Sequence, residues 1–204
     1  MGKNSASIDW NYTGKTNLAF GTGATRAETW LGWSASLLGV VLYTYFFLLH
    51  TFPWAFWQYL LAGVLAFDTC GGMVANSLSS AKRFYFSPPR DDESRVTHLL
   101  KEHLFFTALH IHPLIIGWIF GSGNWLYGLF WYGGLLMSVL VVQMMPLYLR
   151  RPVAMFLILG AILGNASFLP PPVGFAWFVP VLFIKVVYGH TVREEPYRPS
   201  QELA

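Results

Sequence analysis

Charge is scarce in this chain. Only 11% of its 204 residues are Asp, Glu, Lys or Arg, against roughly 25% in a soluble globular domain, so most of the surface cannot face water. Cysteine is rarer still. Cys70 stands alone, which excludes an internal disulfide and a CxxC metal or redox motif. No internal repeat is visible, so an inverted-repeat transporter is not suggested. No short apolar stretch follows a basic start, so no cleavable signal peptide is expected. Ala6 stands where N-myristoylation of Gly2 needs Ser or Thr. Gly21-Thr22-Gly23 has no phosphate-loop Lys after it and reads as a flexible turn.

Apolar side chains are abundant instead. Hydrophobic residues make up 54% of the chain and aromatics 18%, with nine Trp, a composition suited to lining two membrane interfaces. Apolar runs near the length of a membrane span occur at residues 30–49, 54–78, 103–120, 125–149, 152–169 and 173–188. They predict an all-α, polytopic helical bundle of about six spans over residues 29–188. A polar segment, residues 1–28, precedes it, residues 79–102 form a loop, and a polar, mobile tail, residues 189–204, follows.

The thirteen Lys and Arg fall at the N-terminus, in the 79–102 loop, at Arg150 and Arg151, and from Lys185 onward. With six spans these regions share one side. The connections near His50 to Pro53, Gly121 to Asn124 and Pro170 to Pro172 contain no Lys or Arg. The positive-inside rule therefore puts both termini in the cytoplasm, with a bacterial-type inner or plasma membrane as the expected location. On a cytoplasmic tail, the Asn11-Tyr12-Thr13 sequon has no meaning. The pI near 9 is absorbed by this topology, so no nucleic-acid partner is expected. Membrane lipids and a lipophilic small molecule are the expected partners, and so small a bundle is compatible with a homo-oligomer.

One acid, Asp68, lies deep in a span. A carboxylate at a helix centre costs roughly 2.5 to 3.5 kcal/mol on insertion scales, so it must be neutral, paired or facing a wet cavity. Helical periodicity places Asp68, Gly72, Ala75, Asn76 and Ser79 on one polar, small face. Such a face is either a tight helix–helix seam, bonded across by Asp68 and Asn76, or a pocket wall. Gly71 and Ala75 add a small-xxx-small pair.

Histidine is the second signal. His98, His103, His110, His112 and His190 all fall in the cytoplasmic half, with only His50 opposite. His98 and His103 are spaced H-x4-H. That resembles the first histidine box of membrane fatty-acid hydroxylases and desaturases, but the chain has no H-x-x-H-H box. His110 and His112 are two apart, about 200° around a regular helix, so one helix cannot aim both at one point unless Pro113 disturbs the turn. Gln143 and Lys185 lie near cytoplasmic span ends, where Lys185 can snorkel. Lys82 and Arg83 open a loop that is either a solvated connector or a site for anionic headgroups. Asn165 suits a helix–helix hydrogen bond.

Three functions fit these residues. The first is an acid–base enzyme, an isomerase or terpene-type cyclase, acting on an isoprenoid- or lipid-like substrate without a cofactor. Its catalytic residues would be Asp68 as a protonated acid, His110, His112 and Asn76, with Gly72, Gln143, Lys82 and Arg83 binding substrate. The second is an oxidoreductase holding iron or haem through His98, Glu102, His103, His110, His112 and His190. The third is non-catalytic: a transporter, channel or assembly subunit using Asp68 as a proton or cation site.

Overall fold

The computed structural model describes residues 6–14 and 16–199. Gly2, Lys3, Lys15 and the last five tail residues lie outside them. Among the described residues the fold is all-α apart from one two-stranded ribbon, in which β1 (Ala6–Ile8) pairs antiparallel with β2 (Tyr197–Pro199), Ser7 opposite Arg198. The tail expected to be mobile is thus held as far as Pro199.

Among the described residues four helices are long and apolar enough to cross a membrane: α1 (Arg26–Leu49), α2 (Phe56–Ala75), α7 (Trp125–Met144) and α8 (Leu147–Ser167). At 1.5 Å per residue each spans about 30 Å or more. Two further apolar elements are shorter. His103–Ile119 is broken into α5 (His103–Ala108) and α6 (His112–Ile119), and Phe178–His190 is α9 (Phe178–Phe183) running into a π-helical segment (Ile184–His190).

Local chemistry fixes the helix ends. Thr25 Oγ1 accepts from Glu28 N while Glu28 Oε2 accepts from Thr25 N, a capping box that starts α1. Asn124 Oδ1 accepts from Tyr127 N at the start of α7. Arg150 Nε and Nη2 donate to Met145 O and Gln143 O, satisfying carbonyls at the end of α7.

The core is apolar and aromatic. Along α7, Tyr127, Trp131, Leu135, Val139 and Val142 are buried, and α9 is buried almost all round through Phe178, Val179, Leu182 and Phe183. The outward faces are equally apolar. Leu37, Leu38, Val41 and Leu42 on α1, and Phe156, Leu159 and Leu163 on α8, are exposed. A soluble monomer rarely carries so continuous an exposed apolar surface, and lipid is the solvent that suits it.

The basic connector is not a solvated loop. It folds into α3 (Ser79–Phe86) and α4 (Arg95–Lys101) and packs against the N-terminal segment and the tail. Lys101 Nζ pairs with Glu93 at 2.8 Å, both side chains nearly fully buried. Tyr12 OH donates to Glu93 and its ring lies under Lys101 and Arg90. Gly21, at φ +83°, is a tight corner, not a loose turn: a Cβ there would overlap the Ser80 main chain.

Candidate functional site

The two faces of α2 have separate uses. Gly71 meets Ser36 of α1, where a Cβ would fall within 1.8 Å of Ser36 Oγ, and Gly39 of α1 sits against Cys70. That face is a close-packed seam. The Asp68, Gly72, Asn76 face turns instead to the π-helical segment, and Lys185 is its partner.

Lys185 Nζ lies 2.6 Å from Asp68 Oδ2 and 3.3 Å from Asp68 O. The Lys185 side chain passes over Gly72, and Asn76 Nδ2 donates to Lys185 O at 3.1 Å. Three residues expected on one helical face therefore all hold a single lysine. This corrects two expectations. Lys185 does not snorkel, since only 4% of its side chain is exposed. Asp68 is not an unpaired acid in a dry cavity but half of an ion pair. Removing either member of such a pair strands the other.

His112 Nε2 stands 3.4 Å from the same Asp68 Oδ2. The chain breaks between α5 and α6, with Ile111 off the helical region and Pro113 in the first turn of α6. Tyr132 OH donates to the Ala108 carbonyl left at that break. The break lets His110 and His112 face the same region, their rings 5.3 Å apart, which one regular helix would forbid. His110 Nδ1 donates to Phe106 O at 2.8 Å.

Asp68 is also open on one side, with 47% of its side chain exposed. It sits on the floor of a groove of about 260 Å³ whose walls include Trp33 and Ser36 of α1, Phe67 of α2, Phe106 of α5 and His110 of the α5–α6 break. Leu18, Ala19 and Phe20 also line it. Phe20 seats on Gly32, and Ser80 Oγ donates to Phe20 O.

Other expected site residues lie elsewhere. Lys82 Nζ donates to Gly189 O and Val192 O and faces Glu194 at 3.7 Å. Burial pushes its pKa down to about 8 against the pull of Glu194. Arg83, also buried, donates to Tyr197 O. Both hold α3 to the tail, and neither lines the groove beside Asp68. The Gln143 side chain does not line the groove. His98 Nε2 donates to Arg90 O, and Glu102 is exposed at the start of α5. His103 packs edge-on to His190, and His190 stacks on Phe106 with neither ring nitrogen partnered among the described residues. Among the described residues no three His, Cys, Asp or Glu side chains are arranged to hold a metal ion, so the six-residue metal set is not brought together. Asn165 bonds across helices as its position suggested, from Tyr127 OH and to Ala176 O.

These features define an α-helical protein with helices suited to multiple membrane crossings and an ion-paired carboxylate beside an apolar groove. No family model, curated protein or solved structure matches the chain.

Proposed function

We propose that this is a six-span membrane enzyme, both termini cytoplasmic, that performs acid–base chemistry on a lipophilic, isoprenoid- or lipid-like substrate. A bacterial-type inner or plasma membrane is its expected home. One observation carries the reading: Asp68, paired with buried Lys185 and next to His112, lies half-open on the floor of a groove walled by Trp33, Phe67 and Phe106. A buried ion pair is weak support for stability, and an intramembrane ionisable residue marks function by default. Asp68 lies seven residues before the end of α2 at Ala75, roughly 10 Å along the helix. A lipid lying beside the bundle can put a reacting carbon at that depth without leaving the membrane.

Asp68, His112 and Lys185 supply the proton-transfer groups. Oδ2 is shared by an ammonium and an imidazole, so a proton taken from one carbon has two neighbouring sites from which another can be returned. Asn76 and Gly72 position Lys185. A conduit is a poorer reading, because the other half of the bundle is packed with aromatics: Trp54 contacts Phe52, Phe120 and Phe175 at ring separations of 4.7, 4.9 and 5.7 Å.

The test is exchange chemistry. Purified protein in proteoliposomes containing a native lipid extract is incubated in D2O, and the lipids are analysed by mass spectrometry. Deuterium entering a lipid carbon with wild type but not with a folded Asp68→Asn variant supports the proposal. Identical lipid profiles, together with Asp68-dependent proton flux across the vesicle, would replace it with a transporter.

A further inference from the structure

Lys185 carries more chemistry than a counter-ion needs. A lysine buried beside a carboxylate, at a groove open to lipophilic molecules, has the elements of a Schiff-base site: an amine, a proton acceptor for it and a counter-ion for the product. Nζ has a single carboxylate at 2.6 Å. It is held in place from three sides by Gly72 beneath it, Asn76 on its own carbonyl and the π-helical segment that carries it. π-helical turns recur at functional sites. Lys185 lines the same groove as Trp33 and Phe106. Among the described residues Lys185 is the only Lys or Arg that lines the groove, and it is paired with Asp68, so the groove suits a neutral ligand.

The geometry points to Lys185 as a nucleophile that condenses with the carbonyl of an uncharged lipophilic aldehyde or ketone, with Asp68 as proton acceptor and counter-ion. This deepens the proposed function and rests on reading the groove as its binding site. Lys185 ammonium passes a proton to Asp68, and the neutral Nζ adds to the carbonyl carbon. The oxygen of the resulting carbinolamine collects that proton and one from nitrogen, and leaves as water. The sum is ammonium plus carbonyl giving protonated imine plus water. The imine remains paired with the Asp68 carboxylate. The iminium withdraws electrons from the adjacent C–H bond, so removal of that proton by the neighbouring His112 and its return at a further carbon moves a double bond. Water then releases the carbonyl product and restores Lys185.

Reductive trapping tests this. Wild-type protein in proteoliposomes is incubated with farnesal and sodium cyanoborohydride, then digested and mapped by mass spectrometry. A secondary-amine adduct at Lys185 forming at least tenfold faster than at Lys3, Lys15, Lys82 or Lys101 in the same molecules supports the proposal. Slowing of that adduct by Asp68→Asn, and its loss in Lys185→Arg, would complete the case. An unmodified Lys185 beside modified remaining lysines overturns it without any variant having to fold. A diazirine-bearing farnesol, which has no carbonyl, separates the two failures. If it photolabels Trp33 or Phe106 while Lys185 stays unmodified, the groove reading survives and the imine does not. If it labels neither, both fall.

Discussion

Gly72 lies directly beneath Lys185: a Cβ on Gly72 would come within 2.3 Å of Lys185 Cε and 2.8 Å of its Nζ. The obstructed atoms are the far end of a flexible chain, so the conflict is relieved by moving the ammonium, not the helices. Gly72→Ala is therefore expected to fold, with a stability change of about 1 kcal/mol or less, because alanine also favours the helix. The ammonium leaves its 2.6 Å contact with Asp68, and lipid exchange in D2O falls at least tenfold. Thermal unfolding in detergent and the exchange assay are measured on the same preparation. A variant that melts normally and keeps full exchange would remove Lys185 from the mechanism.

The Asp68–Lys185 pair is asymmetric, and its mutants should be too. Lys185 is buried, whereas Asp68 is half-open to the groove. Asp68→Asn strands a buried ammonium and is expected to cost about 3 kcal/mol, while Lys185→Met leaves a carboxylate that can still reach the groove and costs less. The double variant recovers part of the loss, giving a favourable coupling of about 1 to 3 kcal/mol in a double-mutant cycle. Equal single losses that simply add would mean the two groups do not sense each other.

How much of this was readable from sequence follows from where the signals lie. The face of Asp68, Gly72 and Asn76 was legible because α2 is regular and its 3.6-residue period is undisturbed. Its partner was not, because a lysine near the end of an apolar run usually reaches for the interface. The signal available was pairing: one deep acid and one lysine among apolar residues are each other's cheapest neutralisation. The proximity of His110 and His112 depends on the break at Leu109–Ile111, at which Pro113 only hinted. The tail contacts of Lys82 and Arg83 were not legible, because a basic stretch between spans is normally wet and nothing local in α3 reveals that the tail returns to cover it.

The basic cap should respond to pH through Glu93 and Tyr12. Burial raises the Glu93 carboxyl, but hydrogen bonds from Lys101 and Tyr12 outweigh it and bring it below its ordinary 4.5. A carboxylate depressed on folding contributes stability that is fully present above the ordinary value and lost as pH falls through the folded one. Tyr12 is pushed from 10.0 up to about 12, by burial first and by its bond to Glu93, so its contribution is present below 10.0 and lost as pH rises through 12. Protection of the residue 6–14 amides from hydrogen exchange should be flat between these limits and fall below pH 4.5. Glu93→Gln abolishes the acid limb and, by leaving Lys101 unpaired, costs about 3 kcal/mol. An unchanged acid limb in that variant would assign it to other carboxylates.

The six-span topology rests on two short elements, and labelling can separate it from a four-span alternative. If only α1, α2, α7 and α8 cross, the connection after α8 lies on the same side as the α2–α3 cap. If His103–Ile119 and Phe178–His190 also cross, that connection lies on the side of the α1–α2 turn. Cys70 is the only cysteine, so Cys70→Ala gives a clean background. Thr51, Asp91 and Val173 are exposed outside the helices, so each accepts a cysteine at little cost. Thr51→Cys and Val173→Cys should react with a membrane-impermeant maleimide on intact cells, and Asp91→Cys only after permeabilisation. As helix, the seventeen and thirteen residues of the two short elements reach roughly 25 and 20 Å against a hydrocarbon core of about 30 Å, so in the six-span reading the adjoining connections, where Phe120 and Phe175 pack on Trp54, would have to supply the rest. Val173→Cys reacting only from inside would replace the six-span topology with the four-span one, in which the tail still lies on the side of the α3–α4 cap, as the Lys82 bonds to Gly189 and Val192 require.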